Sequence, residues 1–142
     1  MTQINALLTN DTYIVQNNSI AIGDFVFCGT RGWMFPQYNS FSEHDRKIYE
    51  REKMRLRMSL DSAKKDEGKR KIVMMHFPPV YETIQDTEFN AILQEYGVEE
   101  VVFGHLHGEI LKNICLTDLK IGSVNYNLTS ADYLHFKLKQ II

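Results

Sequence analysis

The sequence predicts an α/β fold, and three features carry that expectation: a strand–helix–strand unit over residues 71–103, a long amphipathic helix ahead of it, and short β-branched runs towards both ends of the chain. Strand, helix and strand in that order are what a parallel pair with a right-handed crossover requires.

Residues 13–16 and 19–22 are short and rich in β-branched side chains, so both are strand candidates. Gly23-Asp24 reads as a two-residue hairpin turn, because glycine tolerates the positive φ such turns need, and Phe25-Val26-Phe27-Cys28 reads as the return strand. Residues 29–40 hold Gly29, Gly32 and Pro36 among polar side chains and read as a loop. Ser42 is placed to cap the longest helix, with Asp45 three residues on as its reciprocal partner. Ile48, Tyr49, Leu56, Leu60 and Ala63 then fall on one side at helical spacing, with Arg46, Glu50, Lys53, Arg57, Asp61 and Lys64 on the other, and Gly68 is a suitable stop. Residues 71–75 form an apolar run ending at His76, where Pro78 and Pro79 forbid continuation. Thr87 can cap a second helix that buries Phe89, Ile92, Leu93 and Tyr96 and ends at Gly97. Residues 98–103 form the next apolar strand, ending at Gly104. Residues 110–142 read as mainly extended, with Leu134, Phe136 and Leu138 alternating against Tyr133, His135, Lys137 and Lys139.

A chain of 142 residues, 44% hydrophobic and 24% charged, has room for one soluble domain with its own core. Sixteen basic against eighteen acidic side chains leave a net charge of −2, which gives no electrostatic reason to expect nucleic acid or an anionic membrane as the main partner. The two cysteines, Cys28 and Cys115, stand in no paired spacing and are most simply small core residues in a reducing compartment. Residues 1–12 show no basic segment followed by an apolar run, and no stretch has membrane-spanning length, so a cytoplasmic setting is expected.

Three of the five histidines stand at special places. His76 directly follows one buried-type strand. His105 and His107 directly follow its neighbour, in Gly104-His105-Leu106-His107-Gly108. Ligand sites of open α/β sheets lie outside the carboxyl ends of strands, so all three imidazoles are expected at one rim. In an extended segment residues i and i+2 point the same way, which lets His105 and His107 face one site while Leu106 turns back into apolar packing. Gly104 and Gly108 leave room for sharp turns near an ion. Imidazole suits Zn, Mn and Fe, usually beside carboxylates, although three histidines alone also suffice for one zinc with an open position.

Met75-His76-Phe77-Pro78-Pro79 and Gly104-His105-Leu106-His107-Gly108 resemble the fourth and fifth motifs of calcineurin-like metallophosphoesterases. Cys28-Gly29-Thr30-Arg31-Gly32-Trp33 and the charged helix after it further resemble a bacterial subgroup of predicted phosphohydrolases. The resemblance implies a β-sandwich flanked by helices, with a site for two divalent transition-metal ions (Mn, Fe or Zn) at the sheet rims. It implies that His76 and His105 bind one ion and His107 the other, to hydrolyse a phosphate ester. The family's earlier motifs, Asp-x-His, Gly-Asp-x-x-Asp and Gly-Asn-His-Asp/Glu, do not occur here; Gly23-Asp24 and His44-Asp45 lack the flanking residues. Residues 1–142 therefore read as the C-terminal part of a single metallophosphoesterase domain, without its first strands, its bridging carboxylate or its leaving-group acid, and no catalytic residue is assigned. The isolated chain is expected to be inactive, or to serve as a non-catalytic module that pairs with another chain or with itself through uncovered sheet edges.

Arg31 offers a fork for a substrate phosphate but reads better as a surface residue that holds its loop. Trp33 and Phe35 offer an aromatic cleft wall, although loop aromatics more often anchor to a core. His44 and His135 are expected at the surface, with no metal role.

Overall fold

The computed structural model describes residues 12–38, 40–113 and 119–142, and Cys115 lies outside them. The elements run β1 (Ile20–Ile22), β2 (Phe25–Thr30), α1 (Glu43–Ser62), β3 (Arg70–Met75), α2 (Glu88–Glu95), β4 (Glu100–Phe103), β5 (Leu119–Ile121) and β6 (Val124–Leu128). All six strands form one mixed sheet in the order β1-β2-β3-β4-β6-β5. The four inner strands are parallel; β1 and β5 pair antiparallel at the two edges. The α/β class and the strand–helix–strand crossover of the sequence are both present, and the described residues supply one helix-covered sheet of the expected sandwich.

Local chemistry explains the elements. Gly23 takes φ +56° and closes the β1–β2 hairpin. Ser42 and Asp45 make the full capping box of α1: the Ser42 hydroxyl accepts from the Asp45 N–H and the Asp45 carboxylate accepts from the Ser42 N–H. Thr87 caps α2 by accepting from the Asn90 N–H. The α-helical part of α1 stops at Ser62, and one 3₁₀ turn, Ala63–Asp66, carries the chain to Gly68. Register places Val26, Cys28, Val73, Met75, Val101, Phe103, Tyr126 and Leu128 on one sheet face, and all are buried in one cluster with Tyr49, Leu56 and Leu60 of α1 and Phe89, Ile92 and Leu93 of α2. At roughly 1.5–3 kcal/mol for each fully buried aliphatic or aromatic side chain, this face is what holds the domain together. The opposite face carries Ile20, Ile22, Phe25, Phe27 and Met74; Ile22 is 53% and Met74 38% exposed.

Three expectations need correction. Residues 13–16 form no strand. The Asn18 side chain accepts from the Gln16 N–H and donates to the Ile14 carbonyl, and Asn17 takes φ +59°, so a local asparagine turn outcompetes strand pairing. The chain after Gly108 begins with a 3₁₀ turn, Gly108–Asn113, before the extended β5 and β6. Residues 133–139 form no strand: 131–136 are turns, with His135 at φ +50° and Phe136 at φ +57°, and 137–139 are irregular. The Leu134 N–H donates to Ser130 and the Phe136 N–H to Ala131, which uses backbone groups a ladder would need. The alternating apolar set is correspondingly open, with Phe136 85% exposed and Leu138 fully exposed.

Candidate metal centre

β3 and β4 run parallel, so both release the chain at the same rim of the sheet. The backbone ladder continues past the strand ends there. The His76 and Phe77 N–H groups donate to the Arg31 carbonyl at 3.2 and 2.9 Å, and the Gly104 N–H donates to the His76 carbonyl at 3.2 Å. Three loops are thereby fixed edge to edge before any side chain is considered.

On this platform His105 Nδ1 lies 3.0 Å from His76 Nε2, with ring centroids 4.9 Å apart. One ring must donate and the other accept, so the facing nitrogens share a single proton. Two nitrogens bound to one ion at about 2.0–2.1 Å stand about 2.8–3.4 Å apart at right-angled to tetrahedral bond angles, a range that includes the separation seen here. Burial, then the nearby charges of His76 and His107, hold His105 below the usual histidine pKa and favour the neutral ring that a cation needs. Phe77 covers the His105 ring at 4.0 Å between centroids.

The His105-Leu106-His107 turn keeps the expected alternation by a different backbone. His105 and His107 are exposed and Leu106 is 2% exposed, yet His105 sits at φ +71° rather than extended. Histidine is among the few residues that tolerate the left-handed region, and such strain concentrates at functional sites.

His107 is held by a residue that sequence reasoning missed. Its Nδ1 lies 2.8 Å from Asp132 Oδ1, while Asp132 Oδ2 accepts from the Gly108 N–H at 2.9 Å. A carboxylate only accepts, so a proton sits on Nδ1, and in the neutral ring the Nε2 lone pair faces away from Asp132. The Gly108 N–H and then His107 hold the Asp132 carboxyl below the usual carboxylate range. An imidazole whose second nitrogen donates to a carboxylate is the arrangement typical of metal-bound histidine. Asp132 lies in the 110–142 stretch that reads as mainly extended, just before the alternating residues, and no spacing tied it to His107.

Arg31 pairs with Glu52 at 3.8 Å and stacks on Trp33 at 4.5 Å, which accords with a loop-holding role. Glu52 is fully buried and also meets Arg51, Arg55 and Thr30. Phe35 is 1% exposed and belongs to the core; Trp33 is half-buried and lines a cleft beside His105. His44 and His135 are exposed, as expected. A larger cleft, about 530 Å³, opens near Lys71 and Tyr96 at the other end of β3, roughly 16 Å from His76 at about 3.3 Å per strand residue.

The residues present offer part of a metal's donor set. His76 and His105 converge as a two-nitrogen pair, His107 stands apart on Asp132, and no group of three or more His, Cys, Asp or Glu side chains placed to hold a metal occurs among the described residues. A single zinc bound by the three histidines alone does not match this arrangement. No helix among the described residues is long and apolar enough to cross a membrane.

No curated protein and no solved structure matches the chain. The family model for calcineurin-like phosphoesterases matches residues 4–109, a span that takes in His76, His105 and His107 and ends before Asp132. With three-quarters of the chain matched and both histidine motifs at one sheet rim, the chain belongs to the calcineurin-like phosphoesterase family.

Proposed function

We propose that this chain is the C-terminal part of a cytoplasmic two-metal phosphoesterase, in which His76 and His105 hold one ion and His107 holds the other. The observation that carries the reading is the 3.0 Å pairing of His76 and His105 nitrogens at the rim where β3 and β4 end. Bound Mn, Fe or Zn ions supply such sites with an activated water at neutral pH and with charge that offsets the phosphate oxygens. The chain's own residues bind and orient. To hold an ion, whichever of His76 and His105 carries the shared proton would move it, through solvent, to its other ring nitrogen, so that both facing nitrogens present lone pairs, while Asp132 would keep the His107 proton on Nδ1. The Asp-x-His, Gly-Asp-x-x-Asp and Gly-Asn-His motifs are absent from the sequence, and we assign them to an upstream segment of the complete protein. Without a leaving-group acid alone, turnover falls by ~10²–10⁴-fold.

The test compares this chain with one restored upstream, in phosphomonoesterase and phosphodiesterase assays with added Mn²⁺. Activity in the restored chain that His107→Ala removes is the expected result. An inert restored chain sinks the reading.

One observation favours a second reading, a non-catalytic module that pairs with another chain or a second copy. The outer strands β1 and β5 are short, but the face bearing Ile22, Phe27 and Met74 is apolar and half-open. Sedimentation shows which holds: a cooperatively melting monomer argues against this second reading.

A further inference from the structure

The histidine rim continues into a cleft of about 410 Å³, inside the ~300–1,000 Å³ range that holds small molecules. Trp33, Tyr38, Phe77 and Tyr81 line it, and His105 and Leu106 stand where it meets the metal centre. Among the described residues no Asp, Glu, Lys or Arg lines it, whereas the larger cleft at the far end of β3 is bordered by Lys64, Glu67, Lys71 and Glu95. An occupant is therefore recognised here by an uncharged surface. That surface is aromatic in two groups. Trp33 lies 5.0 Å from Phe77, which covers His105; Tyr38 lies 6.3 Å from Tyr81, and both pack on the buried Phe35.

These walls are set before anything binds. The Trp33 indole N–H donates to Asp45 at 3.1 Å, and Arg31 stacks on its ring. Arg31 is itself tied to Glu52, and its carbonyl holds the His76 loop. Aromatic side chains with two torsions each, already fixed, lose little entropy when a ligand stacks on them.

We propose that the cleft receives the organic part of the substrate, as a flat, uncharged aromatic ring, while the phosphoryl group lies over His76 and His105. The substrate class is then a phosphoester with an aryl or nucleobase group. This assignment rests on the phosphoesterase reading for the phosphoryl end, and on the cleft alone for the ring.

The chain contains a single tryptophan, so intrinsic fluorescence reports on Trp33 directly. The full chain, free of metal, is titrated with phenylphosphonate and with methylphosphonate, which carries the same anion without the ring. Phenylphosphonate is expected to give a saturable change at about tenfold lower concentration, and Tyr38→Ala to weaken that binding by about 2–10-fold, given ~0.5–1.5 kcal/mol for an aromatic pair. Tyr38 packs on Phe35 and Tyr81, so its removal is expected to cost some stability, and both proteins are titrated at a temperature where their melts show them folded. Equal responses to the two phosphonates, or phenylphosphonate binding that neither Tyr38→Ala nor Phe77→Ala weakens, overturns the proposal. Repeating the titrations with Zn²⁺ separates the two readings. Ring-dependent binding that Zn²⁺ leaves unchanged upholds the cleft and counts against a metal-held phosphoryl group. Tight Zn²⁺-dependent binding of both phosphonates alike overturns the cleft and leaves the metal centre standing.

Discussion

Replacing Leu106 with alanine tests the geometry beneath the candidate metal centre. Leu106 is 2% exposed and lies between two exposed histidines, so its side chain fixes which way the turn presents them. A buried Leu→Ala change costs about 2–5 kcal/mol, through lost transfer energy and the cavity left behind. Leu106 borders the cleft beside His105, so neighbours and water can fill part of the gap. The lower half of the range, about 2–3 kcal/mol, is therefore expected. With a urea dependence of about 2 kcal/mol per molar, the unfolding midpoint should drop by about 1–1.5 M at unchanged slope. Ile110→Ala is the control: that side chain is 55% exposed and should move stability by less than about 0.5 kcal/mol. If Leu106→Ala behaves like Ile110→Ala, the side chain is no anchor and the alternation about His105 and His107 is wrong.

Asp132→Ala should move the His107 proton from Nδ1 towards Nε2 with little change in stability, as read by long-range ¹H–¹⁵N spectra above the histidine pKa; an unchanged tautomer counts against the contact. Ser42→Ala should cost about 1 kcal/mol near neutral pH, through loss of the α1 cap. The partner Asp45 is held below its ordinary value of 3.8, first by the Ser42 hydroxyl. Because the folded value is the depressed one, this stabilisation is present above pH ~4 and lost as pH falls through the folded value, so the parent–variant difference should shrink in acid melts. Cys28 is fully buried and burial raises its thiol pKa to about 11, so in a Cys115→Ser background it should react with disulfide reagents only on unfolding.

What the sequence made legible was whatever is written in local periodicity. The α1 stripe, both helix caps and the strands before His76 and His105 follow from spacing and capping chemistry, and the structure has them where spacing put them. The rim position of His76 and His105 followed too, because a parallel crossover leaves no other place for consecutive strand ends. The alternation at 133–139 misled, since period two says only that a strand fits, not that a partner strand exists to pair with it. Glu52 was hidden for a related reason: a glutamate in a charged helix looks solvated until tertiary packing gathers Arg31, Arg51 and Arg55 around it. Asp132 was hidden because its partners are 24 and 25 residues upstream.

That long-range contact follows from topology. After Gly108 the chain must return to the far side of the sheet before it can run parallel to β4 again. β5 carries it down and β6 brings it back, so Asp132 emerges four residues beyond Leu128 at the rim it left at His107. The reversal is the Gly122-Ser123 turn, with Gly122 at φ +59° and a hypothetical Cβ only 2.7 Å from the Gln94 side chain. Gln94 accepts from the Ser123 hydroxyl and donates to the Ile121 carbonyl, so the turn is tied to α2 as well. Gly122→Ala should therefore lose about 1–2 kcal/mol, from left-handed strain and the displaced Gln94. The turn is roughly 17 Å from the rim along β6, at about 3.3 Å per residue, and β6 is held by its own ladder to β4. Gly122→Ala should then lower the melting temperature while leaving the His107 tautomer alone, the reverse of Asp132→Ala. A shift of the tautomer in both variants would mean that hairpin register, not the carboxylate itself, sets the state of His107.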